Sequence, residues 1–399
     1  MKPYRLRFRK QYLFKVLLLC ISIVATLLIS EVVLRFVLPS GYYIRQPHRR
    51  KIFKPYQGIM PGISGESLFA INSLGIRGDE LRPTHTYRIL AIGGSTTECL
   101  YLDQSETWPY LLQRTLNENT PNHNVWVGNA GMSGLTTRHH IMAMKYLPLR
   151  EMKIDAVILL IGINDFMIRL SQNEHYDPNF LAKPKAEEIL VAQTFTGGYF
   201  INPDDPFFKK TAIWKLLKKG GTLLQQAVQA NVQDEAGKTL MTWREHRQSA
   251  KEIRNELPDL SSGLQEYATN INKIIDIAKE KSVRLIFMTQ PTMWKPGLSD
   301  ELKALLWGGG AGDFQKGRGK AYYSPEALEK GMEKYNDTLL KICRVRQVEC
   351  IDLSSMLEKD TSVFYDDAHF NENGARKVAR ALSDYILSHD PFRGSNVTK

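Results

Sequence analysis

Between residues 87 and 390, short apolar runs alternate with longer stretches whose apolar positions recur every three or four residues. The short runs are Tyr87–Ile92 (YRILAI), Val125–Val127, Ala156–Ile161 (AVILLI), Val283–Thr289 (VRLIFMT) and Val348–Leu353. Each has the length and composition of a buried strand. Trp108–Leu116, Thr137–Leu147, Leu264–Lys281, Pro325–Val345 and Gly374–Ser388 read as helices. In Leu264–Lys281, for example, Ile271, Ile274, Ile275 and Ala278 fall on one helical face. Pro109 sits in a first turn, where its missing N–H costs nothing. Strands alternating with helices predict an α/β domain over 87–390, a parallel sheet sandwiched by helices.

Two stretches break this alternation. Residues 171–262 form a long insertion, with helices expected near Ile213–Leu217 and Met241–Glu256, and residues 291–324 hold Gly308-Gly309-Gly310 and several aromatics. Segments this long in a compact domain are usually functional lids or poorly ordered. The first carries Tyr199, Phe200, Phe207, Phe208, Lys209, Lys210, Trp214 and Trp243. Aromatic faces beside cations suit a sugar ring, an acidic polymer or a membrane surface, or they pack against the sheet. Upstream, 39–86 is dense in proline and glycine (Pro39, Pro47, Pro55, Pro61, Pro83; Gly58, Gly62, Gly65, Gly75, Gly78) and reads as a linker or irregular collar. Residues 391–399 read as a tail.

The N-terminus has another pattern. A basic tail, 1–11, precedes an apolar segment, 12–38, that is free of charge from Val16 to Ser30. A helix needs roughly 20 apolar residues to cross a bilayer. No small-residue cleavage site follows, so the segment reads as a retained anchor rather than a cleaved signal. Lys2, Arg5, Arg7, Arg9 and Lys10 on one side are nearly balanced by Arg45, Arg49, Arg50, Lys51 and Lys54 on the other. The short tail is easily retained in the cytoplasm, which places the large domain outside.

Composition alters this picture little. With 43% hydrophobic and 24% charged residues, the chain can bury a sizeable core. Its formal charge of +11 collects largely beside the anchor, a membrane signal more than a nucleic-acid one. No zinc-type cysteine spacing, P-loop or RNA-binding signature occurs. Cys20, Cys99, Cys343 and Cys350 are too few for a disulfide framework. A Cys343–Cys350 bridge stands beside the simpler reading of buried thiols.

Four short segments carry candidate chemistry, three directly after predicted strands, where parallel sheets form their sites. Gly93-Gly94-Ser95-Thr96-Thr97 follows the first strand. A serine there either acts as a nucleophile at a helix start or merely caps the helix. Asn129-Ala130-Gly131-Met132-Ser133-Gly134 follows the second, and its glycines offer unobstructed N–H groups or simply turn the chain. Gly162-Ile163-Asn164-Asp165 follows the third, with a side-chain amide able to donate to an oxyanion or to close an Asn-Asp turn. Asp366-Asp367-Ala368-His369 lies before the last helix. An aspartate three residues before a histidine can orient the imidazole and leave its other nitrogen to take a serine proton.

In order and context, these segments resemble the four blocks of the SGNH (GDSL-like) hydrolase family, and Trp108-Pro109-Tyr110-Leu111-Leu112 resembles the family's helix after the nucleophile. The resemblance runs from about Tyr87 to Leu387, interrupted by the insertions. It implies a flavodoxin-like three-layer fold, with Ser95, His369 and Asp366 as catalytic triad and Ser95, Gly134 and Asn164 as oxyanion hole. It implies an enzyme that needs no metal or organic cofactor. The family's common Gly-Asp-Ser is Gly-Gly-Ser here, with Gly94 in place of the acid, which loosens any inference about substrate. The expected activity is ester hydrolysis on O-acyl, chiefly acetyl, groups of an envelope carbohydrate or polymer. Alternatives are O-acyl transfer to a polysaccharide, lipid ester hydrolysis, and a non-catalytic scaffold of an envelope assembly.

Overall fold

The computed structural model describes residues 3–37, 42–56, 58–196, 206–214, 216–217, 235–312, 320–389 and 392. The chain forms two units, one from residues 1–42 with 198–233, the other from 43–197 with 234–399.

In the first unit, a single helix runs Pro3–Val37. Its stretch Tyr12–Arg35, 24 residues, is long and apolar enough to cross a membrane, a profile that a signal sequence shares. From Leu13 to Val33 its leucines, isoleucines and valines are exposed in the isolated chain. Tyr199 and Phe200 lie outside the described residues, as do parts of the helix expected near Ile213–Leu217.

The strands of the second unit, numbered in chain order, are β1 (Arg50–Pro55), β2 (Ser67–Ala70), β3 (Tyr87–Gly93), β4 (Val125–Asn129), β5 (Ala156–Leu160), β6 (Glu235–Ala236), β7 (Glu252–Arg254), β8 (Arg284–Met288), β9 (Ala321–Tyr323) and β10 (Glu349–Ile351), and they form one main sheet and two small ones. The main sheet has the order β10-β8-β5-β3-β4, and every pairing in it is parallel. All five residues of β4 and of β5 are buried, which is why they read as unbroken apolar runs rather than as alternations. The helices divide into two groups. Trp108–Asn119 packs on Glu372–Ser388, and Thr137–Tyr146, Ser261–Glu280 and Pro325–Arg346 pack on one another. Right-handed crossovers put these groups on opposite faces of the sheet. From β3 the chain moves first outward to β4 and then back across to β5. The order therefore reverses beside β3, and a crevice opens there at the carboxyl ends of the strands.

Two local readings are corrected. The helix expected over Met241–Glu256 ends at Gln248, and Glu252–Arg254 is instead strand β7, parallel to β9. A partner about 70 residues away overrides local propensity. Residues 43–86 are not a loose linker. β1 and β2 pair antiparallel, and Phe53, Phe69 and Ile71 form a small buried cluster of their own. Arg77, 2% exposed, donates to the carbonyls of Glu98, Cys99 and Leu102 at 2.6–2.7 Å, so this collar is clamped to the segment that follows β3. Much of the described part of the 171–262 insertion also belongs to this unit. The helix Ala186–Thr194 packs on Thr137–Tyr146, and the helix Lys238–Gln248 sends Arg244 and Arg247 inward onto backbone carbonyls. Cys343 and Cys350 are free thiols.

Candidate active site

β3 ends at Gly93, and the chain turns through Gly94 into a single helical turn, Ser95–Glu98. Neither glycine tolerates a side chain where it stands. A Cβ on Gly93 would lie 2.1 Å from Thr97 Oγ1, and one on Gly94 would lie 2.3 Å from Asn164 Nδ2. The turn lifts Ser95 to the carboxyl edge of the sheet, where its Oγ lies 2.7 Å from His369 Nε2. The other ring nitrogen, Nδ1, lies 2.9 and 2.8 Å from the two oxygens of Asp366. A carboxylate accepts only, so Nδ1 carries the proton and Nε2 is left to accept from the serine.

The carboxylate of Asp366 is itself held. Backbone N–H groups of Ala368 and His369 donate to Oδ1 at 3.1 and 2.9 Å, and the Trp307 indole donates to Oδ2 at 2.9 Å. Asp366 is 1% exposed. Burial pushes its pKa up, but the His369 charge and these hydrogen bonds outweigh burial and hold it below the usual carboxylate value. Burial alone would lower the pKa of His369. The charge and hydrogen bond of Asp366 overcome that and leave it raised. The neighbouring Asp367 goes the other way, raised by burial and by the charge of Asp366. It accepts from the Trp294 indole at 2.7 Å and from the N–H groups of Trp307 and Gly308 at 2.8 and 3.0 Å, pinning the 291–324 loop beneath the aspartate–histidine pair.

The three residues expected to donate to an oxyanion stand as follows. The N–H of Ser95 opens a helical turn and has no carbonyl four residues back to bond. Gly134 stands at φ +79 with nothing within 4 Å of where a Cβ would be, so its backbone is open to a ligand. Asn164 lies in the first turn of the helix Ile163–Gln172, and its Nδ2 donates to Leu135 O at 2.8 Å, leaving its second hydrogen free. Glu98 braces the Gly134 turn. It is 2% exposed, accepts from the Ser133 N–H at 2.8 Å and from the Ser133 hydroxyl, and pairs with Arg45 of the collar. The arrangement can move a proton from a hydroxyl to an imidazole and can hold a negative oxygen among several N–H groups.

Ser95, Gly134, Asn164, Asp366 and His369 are all brought to this one crevice. Sequence reasoning missed Trp307, Glu98 and Asp367. Trp307 is half-buried, lies parallel to the His369 ring at 6.3 Å between centroids and packs against Trp243 at 4.8 Å. Tyr365 stacks on His369 at 5.5 Å. The only hint in the sequence was a tryptophan abutting three glycines in a loop too long to be mere connection.

The fold is therefore an α/β doubly wound parallel sheet, with a serine, a histidine and an aspartate linked by hydrogen bonds at its carboxyl edge. Residues 91–377 match the model of the GDSL-like lipase/acylhydrolase family, and the chain belongs to that family of carboxylic ester hydrolases. Among curated proteins, none matches it. Several solved structures are similar at low identity. An α/β hydrolase from the metagenome of Lake Arreo is 13% identical, with 76% of this chain and 96% of that one covered at a TM-score of 0.39. An acetyl xylan esterase from Geobacillus stearothermophilus is 14% identical over 79% and 98%, TM-score 0.39. A GDSL-like lipase of Parabacteroides merdae is 11% identical over 77% and 98%, TM-score 0.41.

Proposed function

We propose that the chain hydrolyses O-acyl esters, acetyl foremost, on an envelope carbohydrate or polymer, with Ser95 as nucleophile. The observation that carries this reading is the unbroken relay from Ser95 Oγ through the His369 ring to Asp366, at 2.7 and 2.8 Å, assembled from residues 274 positions apart in sequence. His369 takes the Ser95 proton as Oγ attacks the ester carbonyl, and Asp366 stabilises the imidazolium. The N–H groups of Ser95 and Gly134 and the Asn164 amide receive the oxyanion. His369 then protonates the leaving alcohol. Water, deprotonated by the same nitrogen, releases the acid from the acyl-enzyme.

The aromatic faces support a carbohydrate-linked substrate. Trp307 and Trp243 form a half-buried indole pair beside His369, and a flat apolar surface next to hydrogen-bonding groups suits a pyranose ring. Labelling with a fluorophosphonate, followed by turnover of an aryl acetate and of acetylated polysaccharide, tests the assignment. Ser95→Ala is expected to abolish labelling and to lower turnover by at least about a thousandfold. Undiminished turnover in a folded Ser95→Ala protein would overturn it.

A further inference from the structure

Glu31 is an acid within the apolar helix. Nineteen residues separate it from Tyr12, and at 1.5 Å per residue that is about 28 Å, close to the roughly 30 Å hydrocarbon thickness of a bilayer. With Tyr12 at one boundary, Glu31 falls at the other. A carboxylate there needs donors. It has three: Arg35 Nε at 2.8 Å, and the backbone N–H groups of Ala212 and Ile213 at 2.9 and 3.1 Å. Glu31 therefore caps the chain where it turns helical after Thr211, and it ties residues 206–217 to the membrane helix at the level of the bilayer surface.

What this tethered segment shows to its surroundings is apolar. Phe207 is 85% exposed, Leu217 65%, Phe208 53%, and Trp214 and Leu216 about two-fifths. Phe208 and Trp214 meet edge to face at 5.4 Å, so the aromatics form one cluster. Lys209 lies exposed among them. Aromatic and leucine side chains interleaved with lysine make up the composition that settles in the headgroup–acyl boundary, where rings sit among the upper chains and ammonium groups reach lipid phosphates. We propose that residues 206–217 are an interfacial element, lying in the lipid surface beside the far end of the membrane helix and held there by Glu31.

The test uses the full chain in nanodiscs of phosphatidylcholine and phosphatidylglycerol, with lipids brominated high on the acyl chain as fluorescence quenchers. Because the chain has six tryptophans, the contribution of Trp214 is taken as the difference between wild type and Trp214→Phe. Reconstitution itself reports whether the apolar helix inserts, and the reading does not depend on catalysis. The proposal expects Trp214 to be quenched at least twofold by the brominated lipid and shielded from aqueous acrylamide in discs holding one chain. Quenching by acrylamide and not by lipid would overturn it. Shielding from acrylamide that appears only when two chains share a disc would assign the face to a second copy and also overturn it.

Discussion

The acid that the common Gly-Asp-Ser motif carries before its serine is glycine here, and the space beside it is filled. Asn164 Nδ2 occupies the place where a Gly94 Cβ would go. Gly94→Ala should push Asn164 off its hydrogen bond to Leu135 and misplace its free N–H. The expected result is a fall in kcat with KM little changed, approaching the roughly 10²–10³-fold loss of one oxyanion donor. Combined with Asn164→Ala, the loss should be less than additive in free energy, as kinetics of the double variant would show. The histidine sets the pH dependence. As general base it must be neutral, and Asp366 raises it above its ordinary 6.5. kcat/KM should therefore rise with pH through a midpoint above 6.5. In Asp366→Asn the carboxylate charge is gone and burial prevails, so the remaining activity should have its midpoint at lower pH. An unmoved midpoint would remove Asp366 from contact with the base. Ser95, Asp366 and His369 were legible because each stands in a short local pattern. Trp307 was not, since its role is a hydrogen bond to a residue 59 positions later and no local spacing encodes that.

Among elements, the main sheet was legible because burial on both faces turns its inner strands into apolar runs. β7 was not. All three of its residues are exposed, so nothing in their hydrophobicity marks a strand. β1 and β2 were hidden differently, among prolines and glycines that read as turns, although Phe53 and Phe69 point to a common interior. Besides the Arg77 clamp, the collar they belong to reaches the site through a second contact. Arg45 pairs with Glu98, and Glu98 fixes the Ser133 N–H next to the Gly134 turn. Glu98→Ala would leave Ser133 unpaired and Arg45 with no acid opposite. Breaking a buried pair costs about 3–5 kcal/mol, and because Arg45 is partly exposed a smaller loss is expected, about 2–3 kcal/mol in denaturant unfolding. kcat should fall about tenfold or more below the unfolding range as the Gly134 N–H loses its register. A protein destabilised but with unchanged kcat would show that the collar supports the fold and not the oxyanion site.

For the whole molecule, the remaining question is on which side of the membrane the hydrolase unit works. Counted as residues, the basic groups flanking the apolar helix nearly cancel. They are not equivalent in kind. Those before it lie in the eleven-residue tail, whereas those after it open a folded unit of more than 300 residues, in which Arg45 meets Glu98 and Lys54 meets Glu66 at 2.7 Å. Long domains cross a membrane largely regardless of their charge, while basic groups directly beside an apolar helix resist crossing. The hydrolase unit is therefore expected outside, on the side where envelope polymers carry their esters. In intact cells, protease added from outside should digest everything after Leu38 and leave a small membrane-held fragment containing the N-terminus. An alkaline phosphatase fused after Lys399 should be active and a fluorescent protein that matures only in the cytoplasm should stay dark. The reverse pair of results would put the unit inside and remove envelope polymers from its reach. A mature chain recovered outside the membrane and lacking the apolar helix would show that helix to be a cleaved signal. In that case the hydrolase unit would leave the membrane, and so would residues 206–217, whose tether at Glu31 would be gone.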